Sequence, residues 1–460
     1  VTRLPTLDVD PWLFAGAWSA TLWAGMHPQE VGRALQAQRF AGLAARATSA
    51  SPFYRKRSAG ARQLADFAPT TKRELMASFD DWATDRRITR AAAEAFIADP
   101  QRAASPWLGR YLVWTSSGTS GEPGLFVQDA ASLAAYDAID ALRLRGRLPL
   151  ENPNTLWGWS QRFAFVGATG GHFAGIVSME RLRRAMVCGP RVDVVSALEP
   201  IARVAEQLAA IDPTVLICYP SAAAALAERQ LAGDLRLRLA EVWLGGEQLT
   251  PALRQTIQTA FGCPIRNNYG ASEFFSIASE CRLGRLHVNE DWVILEPVDR
   301  DMRPVSGEAF SDSVLLTNLA NLVQPLLRYQ LTDRIRFMAA PCACGDRFRV
   351  IEVEGRGDDT LHFRGARGES IPVLPLALET VIEEGAGVTG FQLLCRHGEA
   401  IEVRFGGDPP DRHGAYGRLR AVLLAYLKQQ GAAHVHVRFS ATAPQREARS
   451  GKLRRIIATR

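Results

Sequence analysis

A run of hydroxyl and glycine residues, Ser116-Ser117-Gly118-Thr119-Ser120-Gly121-Glu122-Pro123-Gly124, follows directly on the apolar stretch Tyr111-Leu112-Val113-Trp114. Glycines let successive backbone N–H groups converge on an anion, and Ser and Thr hydroxyls add donors to the same concavity. A strand ending in such a loop has the chemistry of a polyphosphate cradle. It differs from the common nucleotide-kinase loop, because no Gly-Lys-Ser/Thr closes it. A flexible surface turn is the plainer alternative. A second set is Cys281, His287, Cys342 and Cys344. Three thiolates and one imidazole make a closed tetrahedral zinc set with no position left for water, so such a metal would be structural. Four unrelated residues is the bland reading, since Cys-x-Cys is tighter than the usual Cys-x₂-Cys. Cys188, Cys218, Cys263 and Cys395 lie in or beside apolar runs and read as core thiols.

The elements that must position these groups follow from hydrophobic period. The first hundred residues read mostly helical, with Val31 to Ala47 and Thr89 to Ala98 as candidates. Ala130 to Arg145, Ile201 to Ala210 and Ala222 to Gln230 carry the same period. Between them lie the β-rich runs Thr155 to Trp159, Thr214 to Cys218 and Ala240 to Leu244. This alternation predicts a layered α/β domain with a largely parallel sheet, whose ligands collect at the carboxyl ends of the strands. From about Leu286 the strands crowd together (His287-Val288, Trp292 to Leu295, Ser313 to Leu316, Ile335 to Phe337), as in a compact antiparallel β subdomain spanning about 281–350. Beyond Gly355 the chain reads as a small α+β unit: helix Leu374 to Glu384, strands Phe391 to Cys395 and Ile401 to Phe405, helix Gly414 to Gln429, strand His434 to Phe439. The boundary is set at Gly355-Arg356-Gly357-Asp358-Asp359, giving domains 1–355 and 356–460.

Composition fits a soluble globular protein of two or three domains: 460 residues, 47% hydrophobic and 22% charged. The excess of Lys and Arg over Asp and Glu, +6, is spread over a large surface. It favours small anionic partners and carries no nucleic-acid signature. Trp12 to Met26 is apolar but too short to span a bilayer, and it follows acidic Asp8 and Asp10, so it reads as a helix packed on the main domain. No membrane span is expected. The seven cysteines, an odd number, argue for a reducing cytoplasm rather than a disulfide framework.

Four further segments, taken with the loop, resemble the adenylate-forming superfamily of acyl-CoA synthetases and peptide-synthetase adenylation domains. Asn268-Tyr269-Gly270-Ala271-Ser272-Glu273 is similar to its Tyr-Gly-x-Ser/Thr-Glu signature. Leu327-Arg328-Tyr329-Gln330-Leu331-Thr332-Asp333 resembles the Tyr-Arg-Thr-Gly-Asp segment in its phenylacetate-CoA ligase form. Gly355 to Asp359 with Gly365 resembles the hinge signature, and Ser450-Gly451-Lys452-Leu453-Arg454-Arg455 the catalytic-lysine motif. The resemblance covers nearly the whole chain. It implies the adenylate-forming enzyme fold: a large layered α/β domain with a β subdomain, and a small mobile α+β C-terminal domain.

It also implies roles. Attack of a carboxylate on the α-phosphate of ATP joins two anions, so the site must supply positive charge and N–H donors where charge develops. Ser117, Gly118, Thr119, Ser120 and Gly121 would hold the β- and γ-phosphates, and Glu273 would ligate Mg²⁺ through a hard oxygen. Asp333 would accept the ribose hydroxyls, with Tyr269, Gly270 and Ser272 beside the nucleotide. Gly245, Gly246 and Glu247 resemble the segment that runs along the base, although a strand-ending turn explains the glycines equally well. Lys452 would bridge the acyl carboxylate and the α-phosphate. Arg356 matches a ribose-contacting arginine and Asp358 the hinge aspartate, the alternative being an exposed interdomain ion pair. Gly365 matches a glycine of the pantetheine tunnel, or is an ordinary turn residue. Within the phenylacetate-CoA ligase branch a similar Cys…His…Cys-x-Cys pattern supports zinc.

The segment containing Trp159, Phe165, Gly170 and His172 stands where this family builds its acid pocket. Aromatic and glycine residues together make a flat slot for an aryl ring. A core aromatic cluster and a structural histidine are the alternatives. The expected activity is ATP-dependent activation of an aromatic acid, then transfer to the thiol of CoA or of an acyl carrier protein. Delivery to an amine or hydroxyl, or nucleotide binding without catalysis, are competing readings, and a homodimer is compatible with the sequence. Glu122 stands where many relatives carry Lys, and Gln330 where the family usually has Arg. The first removes a cation from the cradle, although backbone amides carry most of it.

Overall fold

The computed structural model describes residues 10–27, 29–116, 123–144, 161–185, 191–354, 361–365, 367–388, 391–396, 398–405, 412–440, 442–445 and 455–459. In chain order the strands are β1 (Leu112–Thr115), β2 (Leu125–Gln128), β3 (Arg162–Gly167), β4 (Arg191–Ser196), β5 (Val215–Cys218), β6 (Glu241–Gly245), β7 (Ile265–Ala271), β8 (Phe274–Glu280), β9 (Leu286–Val288) and β10 (Val293–Val298). They continue as β11 (Ser313–Asn318), β12 (Leu326–Leu331), β13 (Arg334–Phe337), β14 (Val350–Glu354), β15 (Leu361–Arg364), β16 (Ser370–Val373), β17 (Phe391–Arg396), β18 (Ala400–Phe405), β19 (His436–Ser440) and β20 (Ile456–Thr459).

The strand–helix alternation produces a nine-stranded mixed sheet in the order β13-β14-β9-β8-β7-β6-β5-β3-β4. Strands β4, β3, β5, β6 and β7 are parallel, and each crossover is a helix: Ala174–Ala185, Ile201–Ile211, Pro220–Ala232 and Pro251–Phe261. Local chemistry sets the helix ends. Pro220 and Pro251 open their helices in the first turn, the Thr250 side chain caps Leu253 N–H at 3.2 Å, and Gly233 and Gly262 close in the left-handed conformation. Because β3 is flanked by β4 and β5, the chain reverses direction across the sheet there. A crevice therefore opens at the carboxyl ends of β3 and β5.

One expectation is corrected. The strands after Leu286 do not form a single antiparallel unit. His287 of β9 pairs with Ser279 of β8 on one side and Val350 of β14 on the other, so β9, β14 and β13 extend the main sheet as an antiparallel edge. Only β10, β11 and β12 form a separate three-stranded sheet. Strand periodicity fixes which face is buried, while the edge a strand joins depends on long-range pairing. The helix beginning at Ala130 ends at Ile139 and runs into a π turn over Asp140–Leu144.

The C-terminal part holds the β15–β16 hairpin and a four-stranded sheet, β19-β18-β17-β20, with the helices Pro375–Ala386 and Arg412–Gln429. Its apolar residues Leu378, Phe391, Leu419 and Leu423 join one buried cluster with Ala223 and Leu226 of the Ala-rich helix Pro220–Ala232. A second cluster gathers Tyr54, Trp82, Trp114, Phe274 and Tyr329. Cys218, Cys263 and Cys395 are buried, as expected, and burial pushes the Cys395 thiol up to about 12. Cys188 and the run Thr155 to Trp159 lie outside the described residues.

Candidate active-site cleft

A cleft of about 1030 Å³ opens at the carboxyl ends of β3, β5, β6 and β7. Gly245, Gly246, Glu247, Tyr269, Gly270, Ser272, Glu273, Asp333 and Phe165 all line it, so one wall gathers residues from distant segments. At Gly246 the chain turns with φ +83, and a Cβ would stand 3.0 Å from the Tyr219 ring. Glu247 accepts Ser221 N–H and the Ser221 hydroxyl, both at 2.9 Å. Its carboxylate thus caps the positive end of the helix Pro220–Ala232.

Two tyrosine–carboxylate pairs organise the next layer. The Tyr269 hydroxyl donates to Asp333 Oδ2 at 2.9 Å, and the Tyr329 hydroxyl donates to Glu273 Oε1 at 2.7 Å. The pairing is crossed, because Tyr269 and Glu273 belong to one segment and Tyr329 and Asp333 to the other. Burial, then the nearby carboxylates, hold both phenols well above their ordinary range, so each stays a donor. Glu273 is only 5% exposed, and its carbonyl accepts Asn318 Nδ2–H at 2.9 Å. Trp114 Nε1–H donates to the Ser272 carbonyl at 2.8 Å, tying the segment to the strand that feeds the loop.

Backbone requirements explain two further choices. A Cβ on Gly270 would fall 2.0 Å from the Phe275 carbonyl oxygen, where the β7–β8 pairing shifts register. Only glycine fits this close approach. Arg328 adopts a left-handed φ of 49 beside the β11–β12 irregularity, a strained state for a non-glycine residue. Its guanidinium bonds Glu296 and the Phe67 carbonyl, both at 3.0 Å, which holds the strand that presents Tyr329.

The loop residues Ser117, Gly118, Thr119, Ser120, Gly121 and Glu122 lie outside the described residues, but both ends of the loop are seen. Ser116 N–H donates to the Gly124 carbonyl, and Gly124 N–H to Ser116 Oγ, each at 2.9 Å. Lys72 Nζ donates to the same Ser116 Oγ at 3.1 Å and lines the cleft. This cation escaped the sequence reading. The signal was present, since Lys72 begins a helix that Thr71 and Glu74 close with a capping box, fixing its position.

Other expected residues fall elsewhere. His172 is buried with Nε2 on the Asp99 carbonyl at 2.9 Å and its ring edge-on to Phe96, so it braces the core rather than the cleft. Gly170 is a left-handed turn residue outside the cleft lining. Phe163, Phe165, Phe173, Met179, Ile217 and Trp243 instead make a continuous apolar wall. Gly365 lies at the β15–β16 turn, where a Cβ would meet the Glu369 carboxyl at 2.1 Å. Trp159, Arg356, Asp358 and Lys452 lie outside the described residues. Arg455, the last residue of the Lys452 motif, is 1% exposed and pairs with Glu379 at 3.6 Å and with Glu383. The helix that carries both glutamates, Pro375–Ala386, contributes Glu379 and Thr380 to the cleft.

The metal-ligand set assembles. The ligand atoms of Cys281, His287, Cys342 and Cys344 lie within 4.8 Å of one another, with Cys281 Sγ 3.9 Å from Cys342 Sγ and Cys344 Sγ 3.4 Å from His287 Nε2. A zinc–thiolate tetrahedron has edges of about 3.7 Å, so the donor set fits. His287 Nδ1 contacts the Phe348 carbonyl at 2.8 Å, which directs Nε2 to the cysteines.

The mixed sheet with its switch-point crevice and the appended α+β unit are those of the adenylate-forming enzyme fold. The chain belongs to the AMP-binding enzyme family, whose profile matches residues 12–304. Its structure is similar to that of 2-hydroxyisobutyryl-CoA ligase in the postadenylation state, with 20% identity over 95% of this chain and 91% of that one, and a TM-score of 0.55. The same enzyme in its thioesterification state covers 94% of this chain and 91% of that one, with 20% identity and a TM-score of 0.55. Protein CapK of Staphylococcus aureus is 29% identical over 94 residues, which is 20% of this chain and 19% of CapK's own length. Among the described residues no helix is long and apolar enough to cross a membrane.

Proposed function

We propose that this protein is an AMP-forming acid–thiol ligase, which converts an aromatic carboxylic acid and ATP to an acyl-adenylate and pyrophosphate and then makes a thioester. The observation that carries this reading is the crossed pair, which sets two carboxylates, Glu273 and Asp333, in one cleft beside the anchored ends of the loop. Glu273, oriented by Tyr329, holds Mg²⁺ on the phosphates, while Asp333, oriented by Tyr269, accepts the ribose hydroxyls. Ser117 to Gly121 wrap the leaving pyrophosphate. Lys72 supplies the positive charge that Glu122 withdraws from this loop. Lys452, brought in on the C-terminal unit beyond 355, neutralises the carboxylate and α-phosphate as they approach.

The apolar wall around Phe165 and Trp243 supports an aryl acid rather than a small aliphatic one. CoA, or the phosphopantetheine of an acidic carrier protein, is the acceptor, and a cytoplasmic location suits the free thiols. Zinc bound by Cys281, His287, Cys342 and Cys344 fastens the edge of the main sheet and has no catalytic part. Acid-dependent ATP–pyrophosphate exchange over a panel of aryl acids, followed by CoA or holo carrier protein, tests the proposal. Exchange with an aryl acid and subsequent thioester are expected. No exchange with any acid overturns it, and exchange without thioester removes the second half-reaction.

A further inference from the structure

The helix Pro11–Met26 has two faces. Ala17, Thr21 and Ala24 are buried, with Ala17 against Ala134 and Ala138 and Thr21 accepting Trp292 Nε1–H at 2.8 Å. The opposite stripe, Trp12, Gly16, Ser19, Trp23 and Met26, faces solvent. Trp12 is 86%, Trp23 55% and Met26 62% exposed. Gly16 has open space where a side chain would stand. From Pro11 to Gln29 the chain carries no Asp, Glu, Lys or Arg. An apolar face of this kind on a globular protein marks an interaction surface.

Four of these five residues, Trp12 to Trp23, form a palindrome in size and spacing. Large Trp12 and Trp23 flank small Gly16 and Ser19, and the intervals run four, three, four. A two-fold interface must be self-complementary, so that each patch meets its own copy. Antiparallel packing about a centre between Gly16 and Ser19 sets Trp12 against the partner's Trp23 and Gly16 against the partner's Ser19. The small residues allow the helices to approach closely, and the two indoles close the ends of the contact. The same alignment brings the acidic Asp10 end towards the partner's His27, with the helix dipoles opposed.

We propose that this face joins two copies of the chain in an antiparallel helix pair. A membrane surface suits it poorly, because the helix has no Lys or Arg to meet anionic headgroups. The exposed stripe offers roughly 500 Å² per copy, or roughly 1,000 Å² for the pair, at the lower limit of a specific association. A contact of this size is a weak, reversible one. Since Phe14 of this helix lines the cleft, the contact forms beside the site.

Sedimentation equilibrium of the full chain across the micromolar range tests this, with vesicles of phosphatidylcholine and phosphatidylglycerol as a second arm. The mass should rise from one chain towards two, and Ser19→Glu, with wild-type circular dichroism, should stay at one. Mixing Gly16→Cys with Ser19→Cys should give a mixed disulfide identified by peptide mass, which decides the matter should Ser19→Glu fail to fold. A single-chain mass throughout, a dimer indifferent to Ser19→Glu, absence of the mixed disulfide, or vesicle binding by a single-chain species would overturn the proposal. None of these readouts depends on ligase activity, so they fail independently of the function proposed above.

Discussion

Tyr329 donates its phenolic proton to Glu273 at 2.7 Å, and the same two segments are tied in reverse by Tyr269 and Asp333. Each segment therefore positions the other's carboxylate. Each carboxylate accepts from a tyrosine of the other segment, so the two segments act as one braced unit.

Tyr329→Phe keeps the ring in the core and removes only the donor. A hydrogen bond to a charged group is worth about 1.5–3 kcal/mol, so Mg²⁺-dependent exchange should fall roughly 10- to 100-fold. The Mg²⁺ concentration for half-maximal rate should rise. An unchanged Mg²⁺ titration would separate Tyr329 from the metal.

Lys72→Met should lower pyrophosphate exchange by about 10²–10³ with the acid KM little changed, if the lost charge serves the leaving group as proposed. Adding Glu122→Lys to that variant should recover part of the rate. Full activity in Lys72→Met would confine this residue to anchoring Ser116.

Burial, then neighbouring Glu383, raises the Glu384 carboxyl to about 7. It lies against the Gly170–Gly171 turn, where a Cβ on Gly171 would stand 2.1 Å from Oε1. The folded state thus holds this proton more tightly than the unfolded chain. The contribution of this one carboxyl to stability should be fully present below about pH 4.5, be lost as pH rises through 7, and stay absent above it. Glu384→Gln should flatten that slope and raise Tm at pH 8 relative to wild type. Thermal unfolding at pH 5 and pH 8 checks both.

Metal analysis of purified protein should give close to one zinc per chain. Cys344→Ser, or a strong chelator, should lower Tm by roughly 5 °C or more. Exchange activity at low temperature should survive, since the cluster lies at the sheet edge. Well under one equivalent of zinc would dismiss the metal.

Lys452→Ala should reduce adenylation by roughly 10²–10³ or more. ATP–pyrophosphate exchange is the measurement, and an unchanged rate removes Lys452 from the first half-reaction.

Much of the architecture was legible because it depends on local rules. The helix Gln29–Ala50, the parallel strands β5 and β6 and the helix Pro375–Ala386 follow from apolar period, N-terminal prolines and closing glycines. The segments Tyr269 to Glu273 and Leu327 to Asp333 were recognisable as chemical groups in a fixed order. For His172 a histidine beside glycines reads alike whether it faces a ligand or a carbonyl, and the structure gives it the structural role. Arg455 is, in sequence, one arginine among several, whereas Glu379 and Glu383 hold it buried.

By itself, then, the sequence determined the alternating elements, the strand that feeds the loop and the residue types of the candidate site, all properties of neighbouring residues. Tertiary structure alone decided that Tyr329 holds Glu273, that Tyr269 holds Asp333, that Lys72 reaches Ser116, and that β9, β13 and β14 extend the main sheet. Those contacts join positions far apart along the chain. Hydrogen bonds of this kind form only where packing brings a buried donor to a buried acceptor, and no local pattern records which partner that will be.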